Sequence, residues 1–311
     1  MSAPRISLEQ WRALVAVVEA GGYAQAAGLI HKTQSTISYA VQKIEQQLDV
    51  KLFEIRGRKA ELTPAGQVLY RRAQLLLERA ASLERGATSF AAGWEPEVRI
   101  AIEILFPTWV LLRSLERFAQ ERPEIRVQLH ETVLGGTDEA LQERRVDFAV
   151  SGFLAQGFYG TPLLRLRLIP AAHPDHPLHR LGRPVTLDDL REHRQLVIRD
   201  TALQRARESG GWLGAEQRWT VSHKATQIAA ACMGLGFAWF AEETILRELE
   251  AGQLKPLPMQ EGGERSGQLY LVFADPENPG KAASRLAEIL LEDVKSLGAV
   301  VPGRTFELIG P

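Results

Sequence analysis

The chain has 311 residues, 45% hydrophobic and 24% charged, with a formal net charge of −1. That is enough for two domains, or three small ones, each with its own core, in an ordinary soluble globular protein. The near-neutral charge argues against a protein coated in nucleic acid, no run of about 18 uninterrupted apolar residues offers a membrane span, and the polar opening MSAPRISLEQWR is no signal peptide. The single cysteine, Cys232, cannot close a disulfide within the chain and reads as a small buried hydrophobe among alanines and glycines. A cytoplasmic setting follows. Residues 1–66 carry a balance of +2, leaving −3 for the remainder, which supports nucleic-acid binding only weakly.

The first predicted helix starts at Ser7, a hydroxyl cap with Gln10 placed to complete a capping box. Leu8, Trp11, Leu14, Val15 and Val18 share one face, and Gly21-Gly22 ends the helix. A short helix over 24–29 follows, in which Ala26 and Ala27 permit tight crossing. Thr33 then caps a third helix, QSTISYAVQKIEQQL, whose buried stripe is predicted as Ile37, Val41, Ile44 and Leu48. Its other face and first turn carry Gln34, Ser35, Thr36, Ser38, Tyr39, Gln42 and Lys43. Short polar side chains at a helix N-terminus suit entry into a DNA major groove, yet the same face could be simply solvated. Next comes DVKLFEIRGRKAELT, two short apolar runs about Arg56-Gly57-Arg58, read as a two-stranded wing with Arg56, Arg58 and Lys59 at its tip. Cations there are well placed for phosphates. Thr63 and Pro64 open another helix as cap and first residue.

Taken together, residues 8–66 resemble the helix-turn-helix of LysR-type transcriptional regulators. The resemblance rests on Ala26-Ala27, Ile30, Gln34-Ser35, Ser38, Ile44-Glu45, Leu52-Phe53, Arg58, and Leu62-Thr63 followed by Ala65-Gly66. Tyr23, Ile44 and Asp49 depart mildly from the family pattern, Asp49 standing where glycine is usual. The resemblance implies that Gln34, Ser35, Thr36 and Tyr39 read bases, and that Ser38, Lys43, Arg56 and Arg58 contact phosphates.

From Pro64 to about residue 91 a long helix is predicted. Leu69, Leu76, Leu83 and Phe90 recur every seven residues, and so do Ala73, Ala80 and Ala87. A large residue in one seam position and alanine in the other suits two closely paired helices, against the alternative of one helix packed on its own domain. In the family this helix dimerises. Gly93-Trp94-Glu95-Pro96 marks a hinge.

Beyond it, VRIAI, RVQLHE, DFAVSG, RLIPAA, QLVIRD, TVSH, GFAWF and LYLVF read as buried strands. Helices are predicted between them over 108–121, 138–144 and 226–233. Such alternation implies α/β subdomains with mainly parallel sheets. VRIAI, ERPEIRVQL, LQERRVDFAV, HPDHPL, TLDDL, GLGFAWF and GQLKPL resemble the LysR-type effector domain, itself similar to type 2 periplasmic solute-binding proteins. The expected architecture is a mainly α winged helix-turn-helix (1–62) and a linker helix (63–92) leading to a two-subdomain α/β effector domain (93–301). Subdomain I would hold 97–161 and 267–301, subdomain II 162–266, with a tail at 302–311. The implied function is sequence-specific binding of promoter DNA, with transcription changed by a small-molecule effector. The implied assembly is a dimer through the linker helix and a homotetramer, with RNA polymerase as a further partner.

The effector cleft departs from the family. Where small hydroxyl residues commonly bind an effector carboxylate, this chain has Glu103 and Leu105, followed by Phe106-Pro107-Thr108. A carboxylate ligand beside Glu103 would meet a like charge, so a cationic, neutral or partly apolar effector is expected, against Phe106, Phe153 or Trp239. Alternatively, Glu103 pairs with Arg199 and neutralises it, or the domain serves oligomerisation alone. Arg199, Thr201, Ser222 and Thr108 are the other polar candidates. No cofactor, metal or catalytic residue is expected. His173, Asp175, His176 and His179 lie in a proline-rich loop without metal-ligand spacing, and neither Gly234-Leu235-Gly236 nor Gly135-Gly136 has phosphate-loop context.

Overall fold

The computed structural model describes residues 4–56, 59–204 and 213–300 and forms two compact units, Met1–Ala91 and Ala92–Pro311. In the first unit, α1 (Leu8–Glu19), α2 (Tyr23–Leu29) and α3 (Gln34–Leu48) are followed by β1 (Phe53–Arg56), β2 (Lys59–Leu62) and α4 (Pro64–Ala91). The Ser7–Gln10 capping box starts α1, and Leu14, Val17, Ala26, Ala27, Ile37, Val41, Ile44 and Leu52 form the core. Leu48, expected in the buried stripe of α3, and Leu8, on the apolar face of α1, are exposed, each at a terminus of its helix. β1 and β2 pair antiparallel from Phe53–Leu62 to Arg56–Lys59, giving the predicted wing. Arg58 and the side chains of Arg56 and Lys59 lie outside the described residues, as does the tail at 302–311.

The second unit begins with β3 (Glu97–Glu103), α5 (Thr108–Glu121), β4 (Arg126–Thr132), α6 (Gly135–Gln142), β5 (Phe148–Ser151) and β6 (Thr161–Ala172). It continues through α7 (Leu187–Arg191), β7 (Gln195–Ile198), β8 (Arg218–Val221), α8 (Lys224–Cys232) and β9 (Ala238–Ala241). It closes with α9 (Leu246–Glu250), β10 (Lys255–Pro256), β11 (Arg265–Phe273) and α10 (Lys281–Val300). Among the described residues the strands form a seven-stranded sheet in the order β10-β6-β11-β5-β3-β4, with β9 also on β6, and a separate β7-β8 pair.

The expectation of mainly parallel sheets needs correction. β3 runs parallel to β4 and β5, and β7 to β8, but β11 is antiparallel to β5 and β6, and β6 to β9 and β10. The cause is two long strands: β6 carries the chain out of the first lobe and β11 brings it back. The predicted lobe boundaries, 161/162 and 266/267, fall where these strands begin, so both lobes share them.

One lobe packs α5 and α10 over Ile100, Ile102, Phe148 and Val150. Asp293 of α10 is buried there, accepting from Ser114 Oγ at 2.8 Å and Arg117 Nη1 at 2.6 Å. The other lobe packs α8 against β7 and β9 through Leu196, Ala231, Ala238 and Phe240.

Candidate nucleic-acid interface and ligand cavity

Thr33 organises the start of α3. Its Oγ1 accepts from the Thr36 amide at 3.2 Å and lies 2.9 Å from Ser35 Oγ and 2.8 Å from Thr36 Oγ1. Gln34, Ser35, Thr36, Ser38, Tyr39 and Gln42 are exposed and Lys43 half-buried, while Ile37, Val41 and Ile44 face the core. One face therefore offers amide, hydroxyl and phenol groups beside the positive end of a helix, the chemistry that meets base edges and phosphates.

The motif behind this helix has a structural cause. Glu45 accepts from the Leu52 amide at 2.8 Å and pairs with Lys51 at 3.2 Å, fixing where the wing leaves α3. Thr63 donates its hydroxyl to Lys51 O at 2.6 Å and accepts from the Gly66 amide at 2.9 Å. A Cβ on Gly66 would stand 2.2 Å from Leu52 O, so only glycine lets α4 start against the wing.

Along α4 the predicted seam divides. Ala73 is buried within this chain and Leu69 packs on the helical core, so the first turns serve their own unit. That withdraws Leu69 and Ala73 from the expected pairing seam, because α1 and α4 pack together. Farther along, Leu76, Leu83 and Phe90 are exposed, Leu83 to 77%, with Ala80 half-buried and Ala87 exposed.

The second unit encloses a cavity of about 430 Å³ at the carboxyl ends of β3 and β7. Its walls are mostly apolar: Ile104, Leu105, Val133, Leu134, Phe153, Leu166, Leu168, Leu196, Ile198, Trp239 and Phe240. Gln195, Thr244, Ser266 and Gln268 add polar side chains to the lining. Glu103, Lys224 and Gln227 lie at the β3–α8 end, and Arg265 stacks 4.2 Å over the Trp239 ring.

Glu103 is 2% exposed. Its Oε1 accepts from the Ile104 amide and its Oε2 from the Leu134 amide, both at 3.1 Å. Burial pushes its carboxyl up to about 7; those two amides pull the other way, and nearby Asp200 and Asp138 add to the rise. Lys224 Nζ donates to Ile104 O at 2.9 Å and Thr108 Oγ1 at 3.1 Å. Burial holds this ammonium below its usual range, against the pull of Glu131 and Glu103.

Of the predicted effector residues, Glu103, Leu105, Phe153 and Trp239 line the cavity. Phe106 is in the hydrophobic core and Thr108 meets the cavity only through Lys224. Arg199 and Ser222 are exposed and outside the lining, and no ion pair joins Arg199 to Glu103. The alternative of neutralisation by Arg199 is thereby corrected: Arg199 follows the last residue of β7 and is exposed, while its amide continues the β7–β8 ladder to Val221 O at 2.9 Å. Thr201 ties the lobes instead, accepting from the Val133 amide at 2.9 Å and donating to its carbonyl at 3.2 Å. Lys224 was not predicted. Its sequence signal was a cation in the first turn of a helix, where the dipole disfavours it unless something else holds it.

A capped helix-turn-helix with a wing, followed by a two-lobed α/β unit around a small-molecule cavity, defines a ligand-responsive DNA-binding protein. The family description "Bacterial regulatory helix-turn-helix protein, lysR family" fits residues 8–67, and "LysR substrate binding domain" fits residues 91–295. The chain belongs to the LysR-type transcriptional regulators, non-enzymatic proteins that bind DNA and change transcription in response to a small effector. Among its relatives, the probable regulator YhaJ of Escherichia coli K12 is 29% identical over 254 residues, 80% of this chain and 85% of that protein. A probable RuBisCO transcriptional regulator of Nostoc is 26% identical over 314 residues, 94% of this chain and 89% of the relative. The solved structure of CrgA, a LysR-type regulator from Neisseria meningitidis, matches with a TM-score of 0.52 at 20% identity, covering 94% of this chain and 99% of that one. That likeness concerns the fold.

Proposed function

We propose that α3 enters the major groove of promoter DNA. Gln34, Ser35, Thr36 and Tyr39 read base edges, and Ser38, Lys43, Arg56 and Arg58 hold phosphates. The observation that carries this reading is the start of α3, where Gln34, Ser35, Thr36, Ser38 and Tyr39 are exposed together above a buried apolar stripe. Leu76, Leu83 and Phe90, with Ala80 and Ala87, form a dimer seam, giving a two-fold protein for a two-fold site. Pairs of such dimers make a tetramer that acts on RNA polymerase in the cytoplasm. The working divisions are 1–62, 63–92 and 93–301. The cavity takes the effector, which is not a simple carboxylate because of buried Glu103. Ligand closes the two lobes and so resets the DNA-binding heads; an effector that left DNA bending and contacts unchanged would remove that step.

The test is binding to DNA from immediately upstream of its own gene, against a scrambled fragment, across a salt series. Gln34→Ala erodes the preference for the native fragment. Arg56→Ala weakens both fragments and flattens the salt slope by about one unit. A folded dimer that binds neither fragment at any salt would refute the assignment.

A further inference from the structure

Resting on the reading of the cavity as the effector site, the chemistry of its polar end narrows what it takes. Glu103 and Lys224 line the same end, and Lys224 Nζ sits on the carbonyl of Ile104, the residue after Glu103, yet the two charges form no ion pair. Each Glu103 oxygen holds one backbone amide, which leaves each a second lone pair. Lys224 spends two of its three hydrogens on Ile104 O and Thr108 Oγ1. Gln227 Nε2 is spent on Leu196 O at 2.9 Å, so the end presents acceptor positions on both Glu103 oxygens and one donor on Lys224, each fixed by backbone contacts.

Above its titration near 7, Glu103 would meet a carboxylate head with a like charge, to which Asp138 and Asp200 add, in surroundings too apolar to screen the repulsion. An ammonium head would face Lys224, which its two acceptors hold in place. We propose that the effector is an uncharged, largely apolar molecule whose single polar head both donates and accepts a hydrogen bond, an alcohol or a primary amide, seated between Glu103 and Lys224. The head donates to Glu103 and accepts from Lys224, while the body fills the space between Leu166, Leu168 and Leu196 and the Trp239 ring. The volume suits a molecule of small-drug size or less.

The experiment uses four probes that share one phenyl body: phenethyl alcohol, phenylacetamide, phenylacetate and phenethylamine. Binding is followed at a pH above the Glu103 titration near 7, by fluorine NMR on full-length protein labelled with fluorotryptophan, through the resonance that Trp239→Phe removes. The alcohol and the amide should bind at least about ten-fold more tightly than the acid or the amine. Glu103→Gln should bring the acid to within about three-fold of the alcohol, and Lys224→Met should admit the amine while weakening both neutral probes about five-fold. Lys224→Met keeps the test open should Glu103→Gln fail to fold. Wild-type preference for the acid or the amine overturns the head-group assignment and leaves the cavity a ligand site. If no probe moves the Trp239 resonance up to its solubility limit while the protein stays folded, the cavity itself is overturned as the effector site, and the head-group assignment with it.

Discussion

Replacing Glu103 by glutamine will change how the stability of the second unit depends on pH. In the native protein burial holds this carboxyl at about 7, against an ordinary value of 4.5. The folded state thus binds the proton more tightly than the unfolded chain does. Burying Glu103 costs little below pH 4.5, and the cost grows as pH rises through the native value near 7. The difference corresponds to about 3 kcal/mol, most of it lost between about pH 5 and pH 8. Glutamine does not ionise and loses none of it. It does leave either the Ile104 or the Leu134 amide without an acceptor, a pH-independent cost of about 1–3 kcal/mol. The wild-type curve alone is not diagnostic, because His176 runs the other way. Burial holds its imidazole down to about 4, so its contribution is present above 6.5 and lost as pH falls toward 4. The quantity to measure is the difference between variant and wild type in urea unfolding at several pH values. The variant should gain about 2–3 kcal/mol relative to wild type on passing from about pH 5 to about pH 8. A difference that stays constant would refute the reasoning, since it would mean that Glu103 is hydrated or paired with a cation in solution.

Four further substitutions probe the rest of the molecule. Thr33→Ala removes the α3 cap and should cost about 1 kcal/mol in chemical denaturation of the first unit, with reduced discrimination between promoter and scrambled DNA. Asp49 ends α3 in the left-handed conformation at φ 53°, so Asp49→Gly should raise stability by about 1 kcal/mol, read as a higher urea midpoint. Gly136→Ala would put a Cβ 1.9 Å from Thr201 Oγ1 and should cost several kcal/mol, which calorimetry would register as early melting of the second unit. Leu83→Glu, at a position exposed within the chain, should shift the mass seen by light scattering toward monomer while leaving helical circular dichroism intact.

The helix-turn-helix was legible because its signals are local. Ser7, Thr33 and Thr63 are caps, and each cap fixes a boundary within its own turn. The stripe Ile37, Val41 and Ile44 likewise follows from helical period alone. Strand direction in the second unit was less legible: the sequences of β6 and β11 state that they are apolar strands, and only their passage between lobes makes them antiparallel. The heptad on α4 reads the same from Leu69 to Phe90, and nothing in the repeat says that its first turns are already spent on α1. At the cavity, Glu103 was found because it broke a family pattern. Arg199, weighed as an alternative partner for it, lies outside the lining because a one-residue step along a strand end turns the side chain away. Lys224 came from an element far along the chain whose only local mark was an ill-placed charge.

That placement of Lys224 bears on how a ligand enters. The lobes are laced by backbone-directed bonds: Thr201 to Val133, Asp200 to the Gly135 amide at 3.3 Å, and Glu139 to the Leu203 and Gln204 amides at 2.8 Å. Gly136 lies so close to Thr201 that this contact has no room to slide. α8 is tied to Ile104, just after β3, and to Thr108 of α5 through a long, half-buried side chain, Lys224, whose bonds can break without moving backbone. The compliant contact is therefore that of Lys224, and its opening leaves the backbone lace intact. Lys224→Met should accordingly speed association and dissociation of phenylacetamide together, measured by NMR line shape, whereas Thr201→Ala should lower stability and change those rates far less. The reverse ranking would place the hinge at Lys224 and the opening at Thr201.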